Sequence, residues 1–260
     1  MTKAYFIDVQ GTLISDVDKK PIFGAVEFIR ELNQKKIPYV LITNNTKKKS
    51  FEFFEFLHSL GFEIKFENYL DPFMVLKEVA NFKTLTAFGD DLFIDNLKAM
   101  DYKIVSKNPE AVIVTIKKDY TNEDYAKMIN LCLGDTKLIG MHGTSIYAKD
   151  GKTYPAVGAI MAMINYATKK DYEIVGKPSK NFYTAGLSIL QKFDKNLQFE
   201  DIEIISDDII GDLLGAKKLG MKTTFVLSGK YKDDKIIHSL NRDEKPNLRV
   251  ENIGRLMPNI

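Results

Sequence analysis

The chain has 260 residues, of which 45% are hydrophobic and 28% charged, with 37 basic against 35 acidic residues. This composition is typical of a globular protein with one large or two modest cores, and the balanced charge gives no electrostatic reason to expect nucleic acid or a membrane surface as a partner. The single cysteine, Cys132, excludes a disulfide framework, and no apolar run approaches the roughly 20 residues of a transmembrane helix. We therefore expect a cytoplasmic protein that binds neither nucleic acid nor membrane.

Apolar strands alternate with helical patterns along the chain. The first part predicts strands at 4–7 and 37–42 and helices at 24–36, 50–60 and 71–81. A second set follows, with strands at 84–88, 111–116 and 137–141, helices at 92–100, 122–133 and 157–168, and an extended segment at 172–175. The closing part predicts a helix at 179–192, a strand at 202–205, a helix at 212–219, a strand at 222–227, and a surface helix with an irregular tail from Tyr231. This alternation predicts α/β architecture with parallel sheets. The simplest organisation is a discontinuous core (1–81 and 177–260) with an α/β insertion (82–176), whose boundaries are taken from the positions of the motifs described next.

Four polar patches follow predicted strands, at the sheet edge where α/β proteins bind ligands. They are Asp8 to Thr12, Thr43, Lys177 in Gly-Lys-Pro, and Ser206-Asp207-Asp208 with Asp212 five residues after Asp207. An aspartate can act as a nucleophile, a glycine lets backbone approach a phosphate, and a lysine neutralises charge. The acidic fourth patch supplies the hard oxygen ligands that Mg²⁺ takes, so the four together predict a phosphoryl-transfer site.

Each patch taken singly has an ordinary structural interpretation, as a turn, a loop cap, a solvated lysine or an exposed helix start. A similar pattern occurs at Phe88-Gly89-Asp90 with Asp95 five residues later, but it precedes Lys177 and lies in the insertion. We interpret Asp91 and Asp95 there as helix-start and surface acids. The functional hypothesis therefore depends on the number of patches and their order.

The order of these motifs resembles the haloacid dehalogenase (HAD) superfamily, and within it the NagD-like branch, subfamily IIA. The resemblance lies in Thr43-Asn44-Asn45, in Val175-Gly176-Lys177-Pro178-Ser179, and in the run from Asp207 to Gly229. It implies a Rossmann-like parallel-sheet core, an inserted α/β cap that sets substrate specificity, Mg²⁺ as cofactor and a small phosphorylated metabolite as substrate. Related proteins often dimerise through the cap, so a homodimer is a further possibility.

The resemblance also implies the site residues. It makes Asp8, Gln10 and Lys177 catalytic; Gly11, Thr12, Thr43, Asn44 and Lys177 phosphate-binding; and Asp8, Gln10 (through its backbone carbonyl), Asp207 and Asp212 metal ligands. In the cap, His142-Gly143-Thr144 aligns with a substrate loop that reads Thr-Asn-x-Asp in the branch, so substrate preference does not carry over. For His142 an ordinary loop histidine is the competing interpretation.

Gln10 departs from the superfamily pattern Asp-x-Asp-Gly-Thr, in which the second aspartate protonates the leaving group and later activates water. A glutamine amide donates and accepts hydrogen bonds but transfers no proton at a useful pKa, so general acid–base assistance of about 10²–10⁴-fold is lost. We expect a slow Mg²⁺-dependent phosphatase that forms an aspartyl phosphate at Asp8 and favours good leaving groups such as acyl or aryl phosphates. The alternatives are a noncatalytic phosphometabolite-binding protein and a phosphotransferase.

Overall fold

The computed structural model describes residues 2–149, 152–231 and 233–259, so the outer limits of the predicted core, residues 1 and 260, lie outside the described residues. Its strands are β1 Ala4–Asp8, β2 Tyr39–Ile42, β3 Tyr69–Leu70, β4 Thr84–Phe88, β5 Lys103–Ile104, β6 Ala111–Val114, β7 Lys137–Gly140, β8 Ile146–Lys149, β9 Lys152–Pro155, β10 Tyr172–Ile174, β11 Ile202–Ser206, β12 Lys222–Val226 and β13 Leu248–Val250. Its helices are α1 Ala25–Lys35, α2 Ser50–Ser59, α3 Pro72–Val79, α4 Asp91–Ala99, α5 Asn122–Cys132, α6 Val157–Thr168, α7 Lys180–Leu190, α8 Leu214–Lys218 and α9 Lys235–His238. Within the described ranges no helix is both long enough and apolar enough to cross a bilayer.

The chain divides into two compact units. The first unit is Met1–Thr43, Phe51–Leu70 and Lys180–Ile260, and the second is Asn44–Ser50 and Asp71–Ser179. The boundaries predicted from the sequence lie between residues 81 and 82 and between residues 176 and 177. The unit limits therefore place α3, the Gly-Lys-Pro segment and the residues directly after Thr43 in the second unit.

The first unit contains a parallel sheet in the order β13-β12-β11-β1-β2-β3. Its central strands are short runs of β-branched and aromatic residues, which favour a pleated sheet that is buried on both faces. Phe6 pairs with Val40 on one side and with Ile204 on the other. The chain leaves β1 toward β2 and returns later to β11, so β1 lies at the switch point where α/β sheets place their ligands.

The second unit contains a parallel sheet in the order β10-β7-β6-β4-β5 and a separate antiparallel hairpin of β8 and β9. Its core packs α5 and α6 against the sheet, with Val112, Met128, Cys132 and Ile164 among the buried side chains. The hydroxyl of Thr121 begins α5 by accepting the amide of Asp124, in a capping box that satisfies otherwise unpaired helix donors.

The predicted α/β fold with parallel sheets is confirmed, with three local corrections. The chain at Ile37 and Pro38 precedes β2, since a proline has no amide hydrogen for a sheet. The helix predicted from Asp212 begins earlier, as a π-helical turn over Ile209–Leu213 that continues into α8. The tail is not merely irregular, because β13 adds a parallel edge strand beside β12, with Phe225 opposite Arg249.

Candidate active site

The turn after β1 places Asp8 in a buried, crowded position. Asp8 ends the strand with 4% of its surface exposed, and the backbone then turns through Gly11, whose φ is +83°. A Cβ on Gly11 would lie 2.2 Å from Oδ2 of Asp207. Both the positive φ and this close approach require glycine, so the turn brings the first and fourth sequence patches together.

The hydroxyl of Thr12 is directed to Asp8. Its Oγ1 donates to Oδ2 of Asp8 at 3.1 Å, and Thr12 is fully buried. A carboxylate that accepts this bond is held in one rotamer, which is what a nucleophile requires. The predicted phosphate role of Thr12 stays a prediction, whereas its hydroxyl orients Asp8.

A hydrogen bond joins Thr43, directly after β2, to Gln10. Oγ1 of Thr43 donates to Oε1 of Gln10 at 2.6 Å, and the amide of Thr43 donates to the carbonyl of Leu70 at 3.1 Å. Because Oε1 of Gln10 accepts this hydrogen bond, the orientation of the side-chain amide is fixed. The NH₂ group of Gln10 is then the part of the amide that can donate to another group. The residue that departs from the superfamily pattern is therefore part of the hydrogen-bonded site.

The acidic patch after β11 is organised by a short hydrogen-bond chain. Ser206 Oγ donates to Oδ2 of Asp212 at 2.6 Å and accepts the amide of Asp208 at 3.1 Å. Asp208 in turn accepts the amide of Gly211 at 2.9 Å through Oδ1, which begins the π-helical turn. Tyr183 of α7 donates to the backbone carbonyl of Asp212 at 3.0 Å. Such turns often mark functional positions, and this one brings Asp212 back toward the end of β11.

Two buried carboxylates meet at this edge of the sheet. Burial, and next the charge of the neighbouring Asp8, raise the pKa of Asp207 well above its ordinary value. Among the described residues no three His, Cys, Asp or Glu side chains form a metal cluster. Mg²⁺ commonly uses one or two protein carboxylates and completes its shell with carbonyls and water, so Asp8 and Asp207 with the Gln10 carbonyl are a chemically suitable donor set.

The raised pKa of Asp207 has a consequence for stability. The folded chain holds this proton to higher pH than the unfolded chain, so the metal-free fold loses stability as pH rises from about 4 through the raised pKa. We expect Asp207→Asn to raise the melting temperature of the EDTA-treated protein by a few degrees at pH 8 and not at pH 4. Mg²⁺ should stabilise the native protein but not the variant.

Thermal unfolding at both pH values, with EDTA and with Mg²⁺, measures these changes. Asp243→Asn serves as the control because that carboxylate is exposed, and it should leave the melting temperature unchanged. A lower melting temperature for Asp207→Asn at both pH values would mean that the carboxylate is a net stabiliser of the fold, contrary to this prediction.

The remaining predicted site residues belong to the second unit, where three of them converge. Lys177 is 2% exposed, its amide donates to Oδ1 of Asn44 at 2.9 Å, and its carbonyl accepts the amide of Gly143 at 2.8 Å. His142 is buried, and the carbonyl of Thr144 accepts the amide of Gly158 at 2.9 Å, near the start of α6. The asparagine after Thr43, the Gly-Lys-Pro segment and the cap loop are therefore connected by hydrogen bonds.

The acids of the insertion have the structural roles predicted for them. Asp91 is the first residue of α4, and Asp90 caps that helix by accepting the amide of Phe93 at 2.9 Å. Asp95 is exposed and pairs with Lys98 on the same helix at 2.9 Å. These positions confirm the interpretation of Asp91 as a helix-start acid and of Asp95 as a surface acid.

The segment after β12 was not among the predicted site residues, although the family resemblance extends through Gly229. Ser228 Oγ donates to the carbonyl of Gly11 at 2.7 Å, the amide of Lys230 donates to Oδ2 of Asp207 at 2.5 Å, and a Cβ on Gly229 would lie 1.9 Å from that oxygen. The available signal was positional, because Ser-Gly-Lys follows a strand adjacent to β11 and so lies at the same sheet edge.

Comparisons with known proteins agree with this fold. The haloacid dehalogenase-like hydrolase model matches residues 5–103, and the HAD-hydrolase-like model matches residues 174–256. The haloacid dehalogenase-like hydrolase domain-containing protein 2 of Bos taurus is 26% identical over 239 residues, which cover 90% of this chain and 88% of that protein. The phospholysine phosphohistidine inorganic pyrophosphate phosphatase of Danio rerio is 26% identical over 238 residues, covering 88% and 84%.

A solved structure shows the same fold. NagD from E. coli K-12 superposes with a TM-score of 0.78 at 24% identity, covering 98% of each chain. The two matched regions take in Asp8, Thr43, Lys177 and Asp207, the residues on which the resemblance was based. The two matched regions together span most of the chain, which therefore belongs to the haloacid dehalogenase-like hydrolases.

Proposed function

We propose that this protein is a Mg²⁺-dependent phosphatase that acts on small phosphorylated metabolites with good leaving groups. The observation that carries the proposal is the buried arrangement of Asp8, oriented by Thr12 and adjacent to Asp207, in a chain of this hydrolase family. A carboxylate held in this way can attack phosphorus and form an aspartyl phosphate, which water then hydrolyses.

Other residues of the chain are proposed to assist the transfer through their chemistry. Gly11 gives a phosphate close access to the backbone, Thr43 supplies a hydroxyl, and Lys177 and Asn44 are assigned to the phosphate by the family resemblance. Mg²⁺ held by Asp8, the Gln10 carbonyl, Asp207 and Asp212 would offset the repulsion between a carboxylate nucleophile and an anionic phosphate. The loop His142-Gly143-Thr144 is proposed to contact the rest of the substrate. A homodimer through the cap and a cytoplasmic location remain predictions.

Gln10 determines which substrates can be turned over. Its Oε1 accepts from Thr43, so its NH₂ group can donate a hydrogen bond to a departing oxygen or nitrogen but cannot give up a proton. Leaving groups that depart as stable anions, or that are already protonated, need only this hydrogen bond and no proton transfer. Acyl phosphates and aryl phosphates meet the requirement, and so do phosphoanhydrides and phosphoramidates, the kinds of bond in the substrates that the Danio rerio relative's name gives.

A leaving-group series tests the proposal. Purified protein with Mg²⁺ is given acetyl phosphate, pyrophosphate, substituted phenyl phosphates and alkyl phosphates, and released phosphate is measured. We expect kcat/KM to fall steeply as the leaving-group pKa rises, with p-nitrophenyl and acetyl phosphate as good substrates and alkyl phosphates turned over poorly.

The same series separates the alternatives. Stabilisation by inorganic phosphate in a thermal melt, with no phosphate release from any compound, would indicate a binding protein instead. A phosphorylated protein that discharges to added alcohols but not to water would indicate a phosphotransferase. Equal rates for aryl and alkyl phosphates would contradict the role given to Gln10.

A further inference from the structure

Lys230 contacts both acids of the fourth patch through two different groups. Its backbone amide donates to Oδ2 of Asp207 at 2.5 Å, and its Nζ lies 2.8 Å from Oδ2 of Asp208. The ion pair is largely enclosed, with 18% of the lysine side chain and 15% of the aspartate side chain exposed. An ion pair at this depth is screened far less than the exposed pairs on the rest of the surface.

The amide contact leaves the two oxygens of Asp207 in different environments. Oδ2 is enclosed by the Lys230 amide and by the two glycines of the site, since a Cβ on Gly11 or Gly229 would lie 2.2 or 1.9 Å from it. The backbone therefore holds one oxygen and fixes the direction of the other. Oδ1 is the oxygen that would face a bound cation.

The ammonium contact restrains Asp208. Asp208 directly follows Asp207, but both of its carboxylate oxygens already have partners. Oδ1 accepts the amide of Gly211, and Oδ2 accepts from the ammonium of Lys230. Without the ammonium, a third carboxylate would add a full negative charge beside Asp8 and Asp207. That charge would attract a divalent cation and repel a phosphate.

We propose that Lys230 is a positioning residue that sets the balance between cation and phosphate affinity at this site. Its amide orients Asp207, and its ammonium neutralises Asp208. The inference rests on the proposed Mg²⁺-dependent site. It predicts effects of opposite sign on the two ligands, whereas a residue needed only for folding would weaken both.

Calorimetric titration of the full-length protein tests this with Mg²⁺ alone and then with inorganic phosphate at saturating Mg²⁺. Lys230→Met keeps the amide and the aliphatic stem, and we expect it to bind Mg²⁺ about tenfold more tightly and phosphate about tenfold more weakly. Asp208→Asn leaves the ammonium uncompensated, so both shifts should reverse. Lys230→Arg should resemble the native protein, and the double variant Lys230→Met/Asp208→Asn should return toward it.

Lys235→Met is the matched control, because Lys235 makes an exposed ion pair with Asp233 at 3.1 Å and should change neither affinity. Equal Mg²⁺ affinities for Lys230→Met and Lys235→Met would overturn the inference. It would also be overturned if Lys230→Met and Lys230→Arg both bound Mg²⁺ and phosphate more weakly than the native protein. If Lys230→Met does not fold, the reversed shifts of Asp208→Asn decide the question. The Mg²⁺ and phosphate affinities could change as expected while the protein releases no phosphate from p-nitrophenyl phosphate. That result would contradict the proposed function and leave this inference standing.

Discussion

Replacing Asp8 by asparagine is expected to abolish phosphate release, by at least about 10⁴-fold for every substrate in the leaving-group series. An asparagine has nearly the same shape and can still accept the Thr12 hydroxyl, but its amide does not attack phosphorus. Steady-state release of phosphate from p-nitrophenyl phosphate with Mg²⁺ measures the loss.

Two comparisons make this result specific to the nucleophile. Asp18→Asn alters an exposed acid in the connection after the same strand, and it should leave the rate unchanged. Inorganic phosphate should still bind Asp8→Asn in a thermal melt, because removing a negative charge from the site favours an anion. A variant that kept a tenth or more of the native rate would show that another group attacks phosphorus.

Restoring an aspartate at position 10 is expected to raise turnover most for the poorest leaving groups. We expect Gln10→Asp to increase kcat/KM for alkyl phosphates about 10- to 1000-fold and for acetyl phosphate by less than about threefold, because only the former needs protonation. The new carboxyl would lie near buried Asp8 and Asp207, an environment that raises a carboxyl pKa toward the range useful for a general acid. The dependence on leaving-group pKa should therefore become shallow.

Gln10→Asn is the matched control for that experiment. It shortens the side chain by the same single methylene as Gln10→Asp but keeps the amide, so it separates proton transfer from side-chain length. We expect Gln10→Asn to leave the steep leaving-group dependence intact. If the aspartate and asparagine variants behave alike, proton transfer is not what the native residue lacks.

The sequence by itself determined the secondary structure around the site and the kind of chemistry. Strands such as Ala4–Asp8 and Ile202–Ser206 are short runs of β-branched and aromatic residues between polar turns, and this local signal fixes where strands end. The carboxyl ends of parallel strands lie at one edge of a sheet. Polar residues that follow such strands could therefore be assigned to that edge without knowing the strand order or the side-chain contacts. The order of motifs then separated Asp207 from the similar acids of α4.

Only the tertiary structure decided which group each polar side chain contacts. The Thr12 hydroxyl is directed to Asp8, Thr43 contacts Gln10, and Lys230 binds two acids more than 20 residues away in sequence. These contacts depend on strand order and register, which place β12 beside β11 and β11 beside β1. Periodicity along the chain reports burial and local geometry, whereas a hydrogen-bond partner across neighbouring strands is set by non-local packing. For this reason the sequence could predict that Gln10 alters the chemistry, whereas the fold was needed to show that Thr43 contacts its side-chain amide.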